Sequence, residues 1–163
     1  MAKRKEVPKA PKKVADRLWP WFFGAVVVLG VAVVAYAIRS RPPYPRAGAH
    51  WHAPFTVEVC GRALAFPPSP GNIHTHGDGV IHVHPETDEE GRQATLRTFF
   101  QSMGVTLTSD TLTLPDGKRF RNGDPCGDQP GRLRVWINDR EVGVEEFLRY
   151  YPQNGDRIRV RFQ

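Results

Sequence analysis

Cysteine and methionine are scarce in these 163 residues, with two of each. Met103 is the one methionine inside the chain, and it falls at an apolar helical position, so a copper–thiolate centre with an axial thioether lacks its parts. No serine or cysteine sits in a nucleophile elbow, which removes a nucleophilic triad. Internal repeats and low-complexity tracts are absent beyond residue 50. A basic surplus is also missing from the folded part. Residues 51–163 carry 13 Lys/Arg against 15 Asp/Glu, and the +6 of the whole chain comes from elsewhere. That layout excludes nucleic acid as the expected partner. The length suits one domain of ordinary size.

The positive charge lies at the front. Residues 1–17 hold Lys3, Arg4, Lys5, Lys9, Lys12, Lys13 and Arg17 against Glu6 and Asp16, and a short basic tail next to an apolar run is a topology signal. Residues 18–38 have no charge and no polar face. At about 1.5 Å per residue they reach roughly the 30 Å of a bilayer core. Trp19, Trp21 and Tyr36 suit the headgroup boundary, and Pro20 is expected in the first helical turn. The excess of Lys/Arg before the span places the N-terminus in the cytoplasm and the rest outside, in a cell membrane crossed once. The rival is a cleaved signal peptide, for which Ala35-Tyr36-Ala37 is a candidate site, although the apolar stretch is long for one. Residues 39–50, with Pro42, Pro43 and Pro45, read as a semi-rigid linker.

The expected fold class is α+β: one transmembrane helix, then a small, mostly antiparallel β outer domain over 51–163 with one main helix. Phe55, Val57 and Val59 alternate with polar residues, as do Leu133, Val135 and Ile137, and Ile158, Val160 and Phe162, the period of half-buried strands. The last two strands carry an arginine-rich face, expected to be solvated. Leu96, Phe99, Phe100 and Met103 predict a helix over 90–103, stopped at Gly104, with a capping-box spacing at Thr87 and Glu90. Pro115-Asp116-Gly117 turns a hairpin between 111–114 and 118–121. The run 136–162 faintly resembles the closing strands of ubiquitin-like β-grasp proteins. It has no Gly-Gly tail, so carrier chemistry does not follow.

All six histidines fall in three His-x-His pairs: His50 and His52, His74 and His76, His82 and His84. On a strand, residues i and i+2 share a face, so each pair offers two imidazoles to one ion. A lone pair of this kind would read as solvated; three pairs in one short segment read as a metal site. If residues 77–79 form a three-residue turn with a left-handed glycine, His74 opposes His82 and all four rings of the hairpin share a face. Opposed Cβ atoms are then about 4.5–5.5 Å apart, within reach of a common metal. A two-residue turn at Asp78-Gly79 would instead put the two pairs on opposite faces. The first register is preferred. Glu58 and Asp78 are candidate carboxylates to orient a ring N–H. Nitrogen-rich ligation without a thiolate suits Cu²⁺ or Zn²⁺, and Fe²⁺ less well. Cys60 and Cys126 are an even pair in a domain expected to face an oxidising compartment, so one disulfide is the economical reading. Cys60 as a ligand would leave Cys126 unexplained.

The strings His50-Trp51-His52-Ala53, Val59-Cys60 and Ile73-His74-Thr75-His76-Gly77-Asp78-Gly79-Val80-Ile81-His82-Val83-His84-Pro85 resemble an uncharacterised group of bacterial single-pass membrane proteins. Ala94-Thr95-Leu96 and the turn Leu114-Pro115-Asp116-Gly117 match the same group, although Arg97 stands where a glycine is expected. The resemblance implies a membrane-anchored outer domain and no particular activity.

Three functions remain. The first is a module that captures or hands on Cu or Zn outside the membrane. The second is a metalloenzyme, hydrolase or oxygenase, with Asp78 or Glu58 as base. The third is an interaction domain whose histidines are structural or pH-sensing. A closed ring of four imidazoles favours binding; three ligands beside a pocket with a carboxylate favour catalysis. The bilayer and the metal ion are the partners this reading names.

Overall fold

A computed structural model describes residues 14–39 and 43–163, in two compact units that divide after Pro42. Six lysines and arginines of the basic tail (residues 3–13) and residues 40–42 of the expected linker lie outside the described residues.

Among the described residues, the first unit consists of one helix, α1 (Val14–Arg39). Its stretch Trp19–Tyr36 has a mean hydropathy of 1.9 and is long and apolar enough to cross a membrane. The helix begins before the apolar run, so Pro20 lies inside it and not in its first turn. Proline has no N–H, so the Asp16 carbonyl lacks the usual donor four residues on.

The second unit, Pro43–Gln163, contains the strands β1 (Trp51–Val59), β2 (Arg62–Ala63), β3 (Ile73–His74) and β4 (Val80–Val83), followed by helices α2 (Asp88–Gln93) and α3 (Leu96–Ser102). Then come β5 (Thr106–Leu107), β6 (Thr111–Thr113), β7 (Arg119–Arg121), β8 (Pro125–Cys126), β9 (Gln129–Pro130), β10 (Leu133–Ile137), β11 (Arg140–Val142), α4 (Val144–Arg149) and β12 (Ile158–Phe162). The main sheet runs β11-β10-β12-β1-β4-β3, with β2 hairpinned onto β1. Only the central pair β1–β12 is parallel; the other pairings are antiparallel. Strand β12 thus lies beside the first long strand at the sheet centre.

Alternation divides the sheet into two unlike faces. Ala53, Phe55, Val57 and Val59 of β1 are buried together with Ile81, Val83, Ile158, Val160, Phe162, Leu133, Val135 and Ile137. Phe99 and Phe100 of α3 and Phe147 and Leu148 of α4 are buried in the same core. Each such ring taken out of water contributes about 2–3 kcal/mol. The even-numbered residues of β1 lie on the other face, which carries the histidines.

The helix expected over 90–103 is two helices. Thr95 accepts the Thr98 N–H on its hydroxyl and caps α3 afresh, while the Thr98 hydroxyl donates to the Gln93 carbonyl at the end of α2. The Leu96 N–H donates to Tyr150, outside the helix. A side chain that satisfies terminal backbone groups stabilises the break. The Thr87–Glu90 capping box is present, and Gly104 takes the left-handed conformation (φ +74) after α3. Helix α4 has no counterpart in the expectations, because six residues leave one apolar turn: Val144, Phe147 and Leu148.

Cys60 and Cys126 form a disulfide across a separation of 66 residues. It ties the end of β1 to β8 and leaves neither sulfur free for a metal. Residues 43–49, read above as spacer, are part of the second unit and pack against its residues 85–91. Arg46 pairs with Asp88 at 2.7 Å, and the Gly48 N–H donates to the Pro85 carbonyl at 2.8 Å. Gly91 makes room for this segment, since a Cβ there would lie 1.8 Å from the Pro45 carbonyl oxygen.

Candidate metal centre

Three adjacent strands bring the histidines together. His52 on β1 is the register partner of His82 on β4, and His82 is in turn the partner of His74 on β3. The three-residue loop 77–79 sets the second pairing, with Gly77 and Gly79 both left-handed (φ +85 and +76). Asp78 finishes the turn by accepting the Val80 N–H at 3.0 Å and the Thr75 hydroxyl at 3.3 Å. The period of two then places His50 and His84 beyond this row at one end and His76 at the other, all on one face.

Ring contacts follow that layout. His50 and His84 approach to 3.9 Å between centroids, His52 and His82 to 4.8 Å, and His76 and His82 to 4.4 Å. His50, His52 and His84 each offer a ring nitrogen, and these three nitrogens lie within 4.8 Å of one another. Two metal–nitrogen bonds of about 2.0–2.1 Å span at most about 4.2 Å. At the tetrahedral angle the same bonds hold their nitrogens about 3.3 Å apart, so a pair of these nitrogens at the full 4.8 Å must close by about 1.5 Å to share an ion. His84 Nε2 is buried without a hydrogen-bond partner, a state whose cost a metal would remove. His50 and His76 are exposed; the other four are half-buried.

The surroundings keep imidazoles neutral. Burial first, then the neighbouring rings, hold His52 and His84 below the ordinary 6.5, the nearest being His50 in both cases. Burial likewise lowers His74, with His76 and His82 adding to the effect against an opposing backbone contact from Gly71. A neutral ring is the form that ligates. Asp78 is drawn down to about 2, mainly because His82 Nε2–H donates to its carboxylate at 2.9 Å.

Of the two candidate carboxylates, Asp78 is thus in the cluster and holds a ring. Glu58 shares the sheet face, but its carboxylate pairs with Arg161 at 2.8 Å. It is six residues along β1 from His52, about 20 Å away. The arginine-rich face is built around Trp136, with the guanidinium groups of Arg134, Arg159 and Arg161 at 5.2–5.8 Å from its ring. Glu141, Asp139 and Glu58 pair with those arginines in turn.

Two features were not anticipated. Asn154 accepts the His52 N–H at 3.0 Å and Gly155 donates to the His52 carbonyl, so the loop before β12 anchors the strand beneath a histidine. The Asn154-Gly155 dipeptide marks a turn in sequence, but nothing local points it at residue 52. A cavity of about 520 Å³ opens beside the cluster between His74, His76, His84, Glu86 and Glu90. Glu90 is committed to the backbone N–H groups of Glu86 and Thr87.

Together these features define a mixed α+β domain with one histidine-lined sheet face and a disulfide, preceded in the chain by an apolar helix. No protein-family model, curated protein or solved structure matches the chain.

Proposed function

We propose that this chain is a single-pass membrane protein whose domain, outside the cytoplasm, binds a divalent transition metal, Zn²⁺ or Cu²⁺, through imidazole nitrogens. One observation carries the reading: His50, His52 and His84 converge, with ligand atoms within 4.8 Å of one another. Three imidazoles without a carboxylate in the group suit Zn²⁺ or Cu²⁺ better than Fe²⁺. The anchor is α1, and the orientation rests on the Lys/Arg excess before it. The disulfide agrees with an oxidising compartment. Membership of the membrane-anchored group with the same histidine signature is part of this proposal.

The test is elemental analysis of the full-length chain in detergent micelles after reconstitution with Zn²⁺ and, separately, Cu²⁺, beside the double variant His50→Ala/His84→Ala. Near-stoichiometric metal in the parent and a marked loss in the variant are expected. Less than a tenth of an equivalent of either metal in the parent would end the reading.

A specific observation favours a second reading, a metal-dependent hydrolase. Three protein ligands leave a fourth position for water, and the cavity beside His84 is also lined by Glu86. Zinc-loaded chain would then cleave an activated carboxylic or phosphoric ester, with the rate lost in Glu86→Gln while the metal is retained. No cleavage across such a panel would leave binding alone.

A further inference from the structure

The trio of His50, His52 and His84 uses half of the histidines, and a tetrahedral ion takes four ligands. We propose that the sheet face holds two metal ions, with a second site built on His74 and His76 and completed by His82. This rests on the metal-binding reading above and adds the second ion to it.

The distance between the paired nitrogens is the first support. His74 Nε2 lies 3.3 Å from His76 Nε2. Two bonds of about 2.0–2.1 Å meeting at the tetrahedral angle separate their nitrogens by about 3.3 Å. These two nitrogens share a hydrogen bond, and a metal that displaced its proton would find them already at the spacing of one tetrahedral edge. They stand edge to face, at 4.8 Å between centroids.

The third ligand comes from the middle strand. His82 stands 4.4 Å from His76 and 5.6 Å from His74 between ring centroids, its plane within 15° of that of His74, so its ring must turn to bring a nitrogen into the site. Its Nε2–H donates to Asp78, which leaves Nδ1 as the ligating nitrogen. A carboxylate that accepts from the far side of a ligating imidazole fixes the tautomer and makes the ring more basic. The support beneath is rigid. Thr75, between the two ligands, is fully buried; its hydroxyl donates to Asp78 and accepts the Gly77 N–H. Two dications on one face repel, and the carboxylates of Asp78, Glu86 and Glu90 beside them offset part of that repulsion. The cavity at His74 and His76 leaves a path for the ion and for a water as fourth ligand.

The experiment counts Zn²⁺ retained by the full-length chain in detergent after desalting, by elemental analysis, in the parent and in His74→Ala/His76→Ala and His50→Ala/His52→Ala. The proposal expects two equivalents in the parent and one in each variant. One equivalent in the parent overturns the second site and leaves the reading of a metal-binding domain intact. No metal in the parent overturns both. Two equivalents retained by His74→Ala/His76→Ala would place the second ion elsewhere and overturn the proposal. Because the parent's own stoichiometry decides, a variant that fails to fold does not protect the idea.

Discussion

His52 and His82 face each other across β1 and β4, their rings edge to face at 4.8 Å. This pairing joins the start of β1 to the Gly77-Asp78-Gly79 hairpin and turns three separate His-x-His pairs into one cluster. The chemistry of the site depends on these rings being crowded on one face of the sheet.

Acidification is therefore expected to expel the metal, since protons compete for the same nitrogens. His52, His74 and His84 are all held below 6.5, so occupancy should persist through pH 7 and fall only beneath that value. Zinc content measured between pH 8 and pH 4.5 checks this, and occupancy that ignores pH would contradict imidazole ligation. In the metal-free protein the same shifts act on the fold. Between the lowered folded values and 6.5 the unfolded chain binds more protons, so stability falls as pH drops through 6.5.

Asp78→Asn should weaken both the turn and the ring it orients. The carboxylate's folded value of about 2 lies beneath its ordinary 3.8, so its stabilising effect is present above 3.8 and is lost as pH falls toward 2. Asp78 is 44% exposed, which keeps the effect on stability at pH 7 below about 1 kcal/mol. The Tm difference from the parent should therefore be small at pH 7 and disappear near pH 2. Metal affinity at pH 7 should drop by about 10-fold or more.

Gly91→Ala places a methyl group where the Pro45 carbonyl oxygen now sits, 1.8 Å from it. Backbone must move, at a cost of about 1–3 kcal/mol. The segment 43–49 should lift from the domain, and trypsin should cleave at Arg46 much faster than in the parent. Unchanged cleavage would show that the segment does not need this contact.

Removing the disulfide with Cys60→Ser/Cys126→Ser frees a loop of 66 residues. Loop-closure entropy sets the expected loss at about 4 kcal/mol, read from urea denaturation followed by tryptophan fluorescence. A loss under about 1 kcal/mol would mean that the unfolded chain is already constrained there.

Much of this was legible from local pattern. Alternation marked β1, β10 and β12, and the glycines at 77 and 79 marked the turn that sets His74 opposite His82. Other features depended on competition between local choices. Apolar spacing alone ran one helix across 90–103, but the Thr95 hydroxyl caps a new start at Leu96. Helix α4 was hidden because a single apolar turn after Gly143 looks like loop. Glu58 was a reasonable partner for a histidine until its cross-strand neighbour proved to be Arg161.

The sequence by itself determined the apolar helix, the strand periods and the gathering of every histidine into one segment, and it narrowed the hairpin to two registers, because those depend on residues only a few positions apart. The tertiary structure alone decided that His50 and His84 meet, that Asn154 holds His52 and that residues 43–49 belong to the domain. These contacts join positions far apart in the chain, and their closure depends on which strand pairs with which, a choice made by burying the whole sheet face at once.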